Sequence, residues 1–163
     1  MKPQYALFAL LLLIFSCEKE EDVLPTLKIN PEDIELIHGG SEKTWQVVEY
    51  YEHHDNGWID ENRDCIADDT YTFRANTTEV EMTMGDNSCY YENPDSQAHL
   101  LAFTYYPEDG KAYLDHGRFE SKDQFSSGSV YILELEEVSA DRLVFANGRD
   151  DTWARTLILE AID

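Results

Sequence analysis

Beyond residue 40, turn signals cut the chain at short intervals, and no long amphipathic helix lies between them. The apolar pattern between the turns has a period of two, which is that of half-buried strands. Thr44 to Glu52 is rich in aromatic and β-branched residues, and Asp69 to Arg74 alternates with Tyr71 and Phe73 on one face. Ala75-Asn76-Thr77-Thr78 then turns, Val80, Met82 and Met84 share a face, and Gly85-Asp86-Asn87 turns again. His99 to Tyr106 is an aromatic strand closed by Pro107-Glu108-Asp109-Gly110, a hairpin signal. Ala112 to Phe119 returns and Ser129 to Glu137 goes out. Ser139-Ala140-Asp141 turns, Arg142 to Asn147 comes back, and the Asn147–Asp150 loop leads into Thr152 to Ala161. Serial hairpins of this kind build an antiparallel meander, and eight strands can close on themselves and remove their exposed edges. The expected fold is all-β, an eight-stranded antiparallel up-and-down β-barrel.

The N-terminus has a different grammar. Lys2 precedes an uncharged apolar run from Tyr5 to Phe15. That run is shorter than the ~20 residues a spanning helix needs, and it has the length of a signal-peptide core. It ends in Leu13-Ile14-Phe15-Ser16-Cys17, a small residue followed by a cysteine. The segment resembles the lipobox of bacterial lipoproteins. That resemblance implies cleavage before Cys17 and a partner for the chain in the lipid bilayer, through acyl chains on Cys17. Each buried methylene contributes ~0.8 kcal/mol, so several chains hold where one is marginal. Lys19, Glu20, Glu21 and Asp22 follow within a charged cluster. The cluster resembles the signal that sends lipoproteins of the Bacteroidota to the cell surface, and it also reads as a solvated tether. The expected location is the outer membrane, facing outward. The expected organisation is a signal peptide over residues 1–16, an acidic lipidated tether over 17–39 and one barrel domain over 40–163. Within the tether, Asn30 and Pro31 suit the start of a short helical turn near Glu32 to Ile37.

Charge narrows the partners. The chain carries 12 Lys and Arg against 34 Asp and Glu, a formal charge of −22. Removing residues 1–16 takes away only Lys2 and leaves the remainder one unit more negative. Such a chain is repelled by nucleic-acid phosphates and anionic head groups, so nucleic acid is excluded as a partner; the expected state of the chain is a monomer. With Cys17 assigned to lipid, Cys65 and Cys89 are an even pair in an oxidising compartment, where a disulfide is the natural reading. Two free thiols or a metal pair are the alternatives. Neither cysteine has a Cys-x-x-Cys partner or a histidine at ligand spacing.

Two stretches carry a further resemblance. One is Gly39-Gly40-Ser41-Glu42-Lys43-Thr44-Trp45, a glycine pair leading into a strand with an early tryptophan. The other is Cys65-Ile66-Ala67-Asp68-Asp69-Thr70-Tyr71-Thr72-Phe73, followed by a hairpin and Cys89. Together with the meander they resemble lipocalin-like lipoproteins of the Bacteroidota, although four residues separate Gly40 from Trp45 where lipocalins show Gly-x-Trp. The resemblance implies a lipocalin-like barrel with Trp45 near its closed end. It also implies a structural arginine from the last strand packed on that tryptophan, Arg155 first and Arg149 second.

Chemistry is sparse. Asp60-Glu61-Asn62-Arg63-Asp64 has oxygen ligands at alternate positions, but Cys65 stands where a calcium loop needs glycine and Tyr71 where it needs glutamate. His53 and His54 are adjacent and point to opposite faces of a strand, while His38, His99 and His116 are scattered. No nucleophile-elbow motif occurs, and the numerous carboxylates pair by chance, so no catalytic residue, metal or cofactor is assigned and no enzyme is expected. Tyr50, Tyr51, Trp58, Tyr90, Tyr91, Tyr105, Tyr106 and Trp153 cluster near strand ends, where some can line a mouth or stack on sugar rings. Val80, Met82, Leu100, Ala102, Leu114, Ile132 and Phe145 are the expected lining of a ligand cavity, or else a filled core. The functional expectation is a barrel that binds a small apolar molecule or glycan fragment. The alternative is an interaction protein acting through its loops and outer surface.

Overall fold

The computed structural model describes residues 28–53, 64–87, 98–119, 128–147 and 155–162, with backbone alone for 98–100, 118–119 and 128–129. One short helix, α1 (Pro31–His38), precedes eight strands. These are β1 (Glu42–Tyr51), β2 (Thr70–Arg74), β3 (Glu81–Thr83), β4 (Ala98–Tyr106), β5 (Lys111–Phe119), β6 (Gly128–Val138), β7 (Arg142–Ala146) and β8 (Thr156–Ala161). Every pairing between strands is antiparallel, and the sheet order is β3-β2-β1-β8-β7-β6-β5-β4. The first and last strands therefore pair, as in an up-and-down barrel. The remaining seam, between β3 and β4, is joined by a bridge at Glu79 and Ala102. There the Val80 amide donates to Leu101 O at 2.9 Å and the Phe103 amide to Thr78 O at 2.7 Å. The result is a nearly closed eight-stranded barrel.

The two ends differ. At one end the strands are joined by the tight turns before β3, β5 and β7. Gly110 closes the β4–β5 turn at φ 63°, and a Cβ there would stand 2.6 Å from the Lys28 side chain. The opposite rim is formed by the C-terminal ends of β1, β3, β5 and β7 and the N-terminal ends of β2, β4, β6 and β8.

The tight end is stoppered by α1. Asn30 starts the helix, its amide donating to Asp33 Oδ2 at 2.8 Å, and Pro31 occupies the first turn, where no amide is needed. Gly39 ends the helix at φ 60°, its amide donating to Glu35 O at 2.8 Å. Ile37 and Ile29 are fully buried in the barrel core, and Ile29 is fastened by its amide to Gly110 O at 2.8 Å. The folded unit thus begins ahead of the boundary expected at residue 40. The short apolar signal of Ile29, Ile34 and Ile37 was masked by the acidic residues around it, yet these side chains close the barrel floor.

Above the stopper the interior is filled. Trp45, Tyr71, Phe73, Leu114, Leu133, Leu135, Leu143, Phe145, Leu157 and Leu159 are all buried. Phe73 stacks on Phe145 with centroids 6.3 Å apart, and Phe103 meets both edge-on at 5.6 and 6.2 Å. Such offset and edge contacts add ~0.5–1.5 kcal/mol each beyond area burial.

The Trp45 environment corrects one expectation. Its Nε1 donates to Ile37 O at 2.8 Å, so it does sit at the closed end, tying strand β1 to the helix C-terminus. The cation on its ring, however, is Lys43, two residues away on the same face, at 4.0 Å from the centroid. Lys43 Nζ also donates to Ala140 O and Leu36 O, and burial lowers its pKa, partly offset by Asp141. Arg155 immediately precedes β8, whereas Trp45 pairs with Ala161, the last residue of that strand, so Arg155 is at the opposite rim.

Candidate functional site

The rim opposite α1 gathers inward polar residues of the described strands. A bulge in β1 between Val47 and Glu49 resets the alternation, so Tyr50 follows Val47 to the inside, with Glu52 just beyond the strand. On β5 the inward parity of Ala112 and Leu114 continues to His116, which pairs across β4 and β6 with Leu101 and Tyr131. Tyr71 enters from β2 and Arg155 from the residue before β8.

These side chains form one connected set. Tyr71 Oη and His116 Nε2 share a hydrogen bond at 3.1 Å, and the two rings stack at 6.3 Å. His116 also lies 5.9 Å from the Tyr50 ring. Arg155 Nη1 donates to Tyr50 Oη at 2.9 Å, and its guanidinium carbon stands 3.7 Å over the Tyr131 ring. Glu52 is a looser ion partner at 3.7 Å. Burial pushes the Tyr50 hydroxyl above its ordinary pKa, against the pull of Arg155. Burial also works against the Arg155 charge, but Tyr50, Tyr131 and Glu52 together hold its pKa above the ordinary arginine value. Near neutral pH, Tyr50 is therefore a neutral hydroxyl and Arg155 a full cation.

The expected cavity-lining set divides into three. Leu114 and Phe145 point inward but belong to the packed core. Val80 and Met82 lie at the β3–β4 seam, beside a shallow open groove of about 330 Å³ that Arg74, Glu79, Glu81 and Leu101 also line. Arg74 there is taken by Glu42 at 3.0 Å and Glu81 at 2.6 Å. Ala102 and Ile132 are on the outer face, in line across β5 through Asp115, and Ile132 is 60% exposed. Leu100 shares the Ala102 parity along the β4 backbone. The inward residues of β4 and β6 are instead Leu101, Phe103 and Tyr105, and Tyr131, Leu133 and Leu135. Both faces of these strands are apolar, so alternation alone did not tell inside from outside, and a one-residue frame error exchanges them.

Other expected sites are differently placed. Cys17, Lys19, Glu20, Glu21, Asp22 and Cys89, with His54, Trp58, Arg149 and Trp153, lie outside the described residues, as do Asp60–Arg63 of the acidic loop. Cys65 sits in a half-buried turn at residues 64–68. Of the nearby carboxylates, Asp69 accepts the Gly85 amide at 2.9 Å and Asp68 the Asn87 amide at 2.8 Å, which knits the turn to the end of β3. A Cβ at Gly85 would come within 2.1 Å of Asp68 Cγ, so this contact requires glycine. His38 accepts the Gly40 amide at 3.1 Å. Among the described residues no three His, Cys, Asp or Glu side chains stand together as a metal requires, and no helix is long and apolar enough to cross a membrane.

Sequence reasoning did not assemble Tyr71, His116 and Tyr131 into a site. The inward parity of Ala112 and Leu114, extended one step, was the signal that would have found His116. The fold described is an all-β up-and-down barrel, and comparison of the chain with protein-family models, curated proteins and solved structures finds no match.

Proposed function

We infer that the chain is a lipid-anchored outer-membrane lipoprotein whose barrel binds a small molecule at the rim opposite α1. The observation that carries the binding reading is the change in lining along the barrel axis. The closed half is filled by Trp45, Phe73, Phe145 and leucines, while the rim carries hydroxyls, an imidazole and a guanidinium among aromatic rings. Ligand sites combine apolar and aromatic walls with a few converging polar groups, and this rim has both. The filled floor favours a polar, ring-bearing ligand such as a glycan fragment over a long apolar cargo. Native mass spectrometry of the protein, extracted in mild detergent from its own envelope, tests this. A reproducible added mass of small-molecule size supports it, and a bare protein mass opposes it.

The anchor rests on the Leu13–Cys17 segment and its resemblance to a lipobox. Cys17→Ser is expected to abolish incorporation of labelled palmitate, and label retained in that variant would refute the anchor. The acidic cluster at Lys19–Asp22 supports surface exposure, which protease digestion of intact cells checks. We also assign a disulfide between Cys65 and Cys89, supported by their even count and the oxidising compartment. It closes a loop of ~25 residues, and its reduction is expected to lower stability by ~3 kcal/mol. The checks are a Cys65–Cys89 peptide in a non-reducing digest and a lower denaturation midpoint in reductant.

The second reading, action through the outer surface, draws on Val130 and Ile132, apolar side chains 47% and 60% exposed on one face of β6. A bare native mass would move the weight to that face.

A further inference from the structure

The rim also indicates what its ligand carries, an inference that rests on the binding reading above. In a chain with 34 acidic and 12 basic residues, an inward-turned guanidinium is a costly feature unless it is used. The Arg155 side chain is only 20% exposed. A guanidinium has five N–H donors in a rigid fork. Among the described residues, Arg155 gives one hydrogen bond, to Tyr50, and meets Glu52 at 3.7 Å, beyond good hydrogen-bond length. Tyr131 supports the guanidinium through its ring and takes no donor in doing so. The remaining donors stand beside Tyr50, His116 and Tyr71, in a setting where water is partly excluded.

We propose that the rim binds a small molecule through a carboxylate that docks on the Arg155 donors that no described residue takes, in place of the Glu52 contact at 3.7 Å. A planar carboxylate matches the guanidinium fork in a bidentate pair, the strong form of this contact. Glu52 is itself a carboxylate standing near that position, 36% exposed, and shows that the guanidinium accepts a carboxylate there. Tyr50 holds Arg155 in place through its hydroxyl, and the Tyr71–His116 pair packs beside it. The overall negative charge repels acids at long range, so Arg155 provides selectivity at contact rather than fast capture.

Two sources share this chemistry, an acidic sugar and a short fatty acid. Matched probes separate them: galacturonate against galactose, and octanoate against octanol, titrated calorimetrically into the full chain. One acid is expected to bind at least ~10-fold more tightly than its neutral twin, as loss of a charge-assisted bidentate contact predicts. Arg155→Gln is expected to erase that difference and Arg155→Lys to restore only part of it, because an ammonium is a point charge without the fork. Glu52→Gln removes the competitor without touching Arg155 and is expected to tighten the acid roughly two- to fivefold, the worth of an exposed ion pair. It also keeps the test decisive if Arg155→Gln fails to fold.

Equal binding of acid and neutral twin, or unchanged acid affinity in Arg155→Gln, overturns the carboxylate while leaving ligand binding in place. Failure of both acids to bind overturns the proposal, and the native-mass measurement then judges the binding reading separately.

Discussion

Leu133→Asp is expected to unfold the barrel, while Ile132→Asp, one residue earlier on β6, leaves it folded. Leu133 is fully buried against the core, and Ile132 is 60% exposed on the outer face. An aspartate at 133 must ionise in an apolar interior without a partner or hold its proton at a large cost, which exceeds about 4 kcal/mol in either case. That is most of the margin of a domain at the lower end of the usual range, roughly 5–15 kcal/mol. At 132 the same change exchanges an exposed apolar side chain for a hydrated one and shifts stability by ~0.5 kcal/mol or less. Urea denaturation followed by circular dichroism checks both. A folded Leu133→Asp with an unfolded Ile132→Asp would mean that β6 has the opposite face inward.

Trp45→Ala comes next, with an expected loss of ~3–5 kcal/mol from the vacated volume. The indole does more than fill space. Its Nε1 satisfies the carbonyl of Ile37, one of the last carbonyls of α1, and its face carries Lys43, which reaches Leu36 O and Ala140 O. Trp45→Phe keeps most of the ring but leaves the Ile37 carbonyl unsatisfied, at a cost of ~1–3 kcal/mol. The two variants are therefore ordered, alanine worse than phenylalanine, in a denaturant titration. If both match wild type, the helix stopper does not depend on this residue.

Strand positions were legible because a period of two is a local property. Pro107-Glu108-Asp109-Gly110 turns where its residue types say it must, and the helix between Asn30 and Gly39 starts and stops on residues that are readable one by one. The first and last strands pair because eight strands in a meander have only each other to cover their edges. What faces inward was less legible. On β2 the polar positions alternate cleanly, and Tyr71 and Phe73 were placed on one face correctly. On β4 and β6 both faces are apolar, so alternation does not separate Leu100, Ala102 and Ile132, the expected lining, from Leu101, Phe103 and Leu133, which are in the core.

The candidate site needed still more. Tyr50, Glu52, Tyr71, His116, Tyr131 and Arg155 come from five strands and their flanks, and their separation in the chain runs to 105 residues between Tyr50 and Arg155. Tyr50 faces inward only because β1 is bulged, and the bulge is a matter of how β1 fits β8. The partner of Trp45 was chosen by distance along β8, which places Arg155 at one rim and Trp45 at the other.

By itself, then, the sequence determined the class of fold, the number and order of strands, the tight turns and the capped helix. Each of these follows from residue preferences acting over a few neighbours. Tertiary structure alone decided that α1 is the barrel's stopper, which faces of β4 and β6 are inside, and that a guanidinium, an imidazole and three tyrosines meet at the rim opposite α1. Those outcomes depend on strand register and bulges, which are set by the packing of residues far apart in the chain and leave no local mark in it.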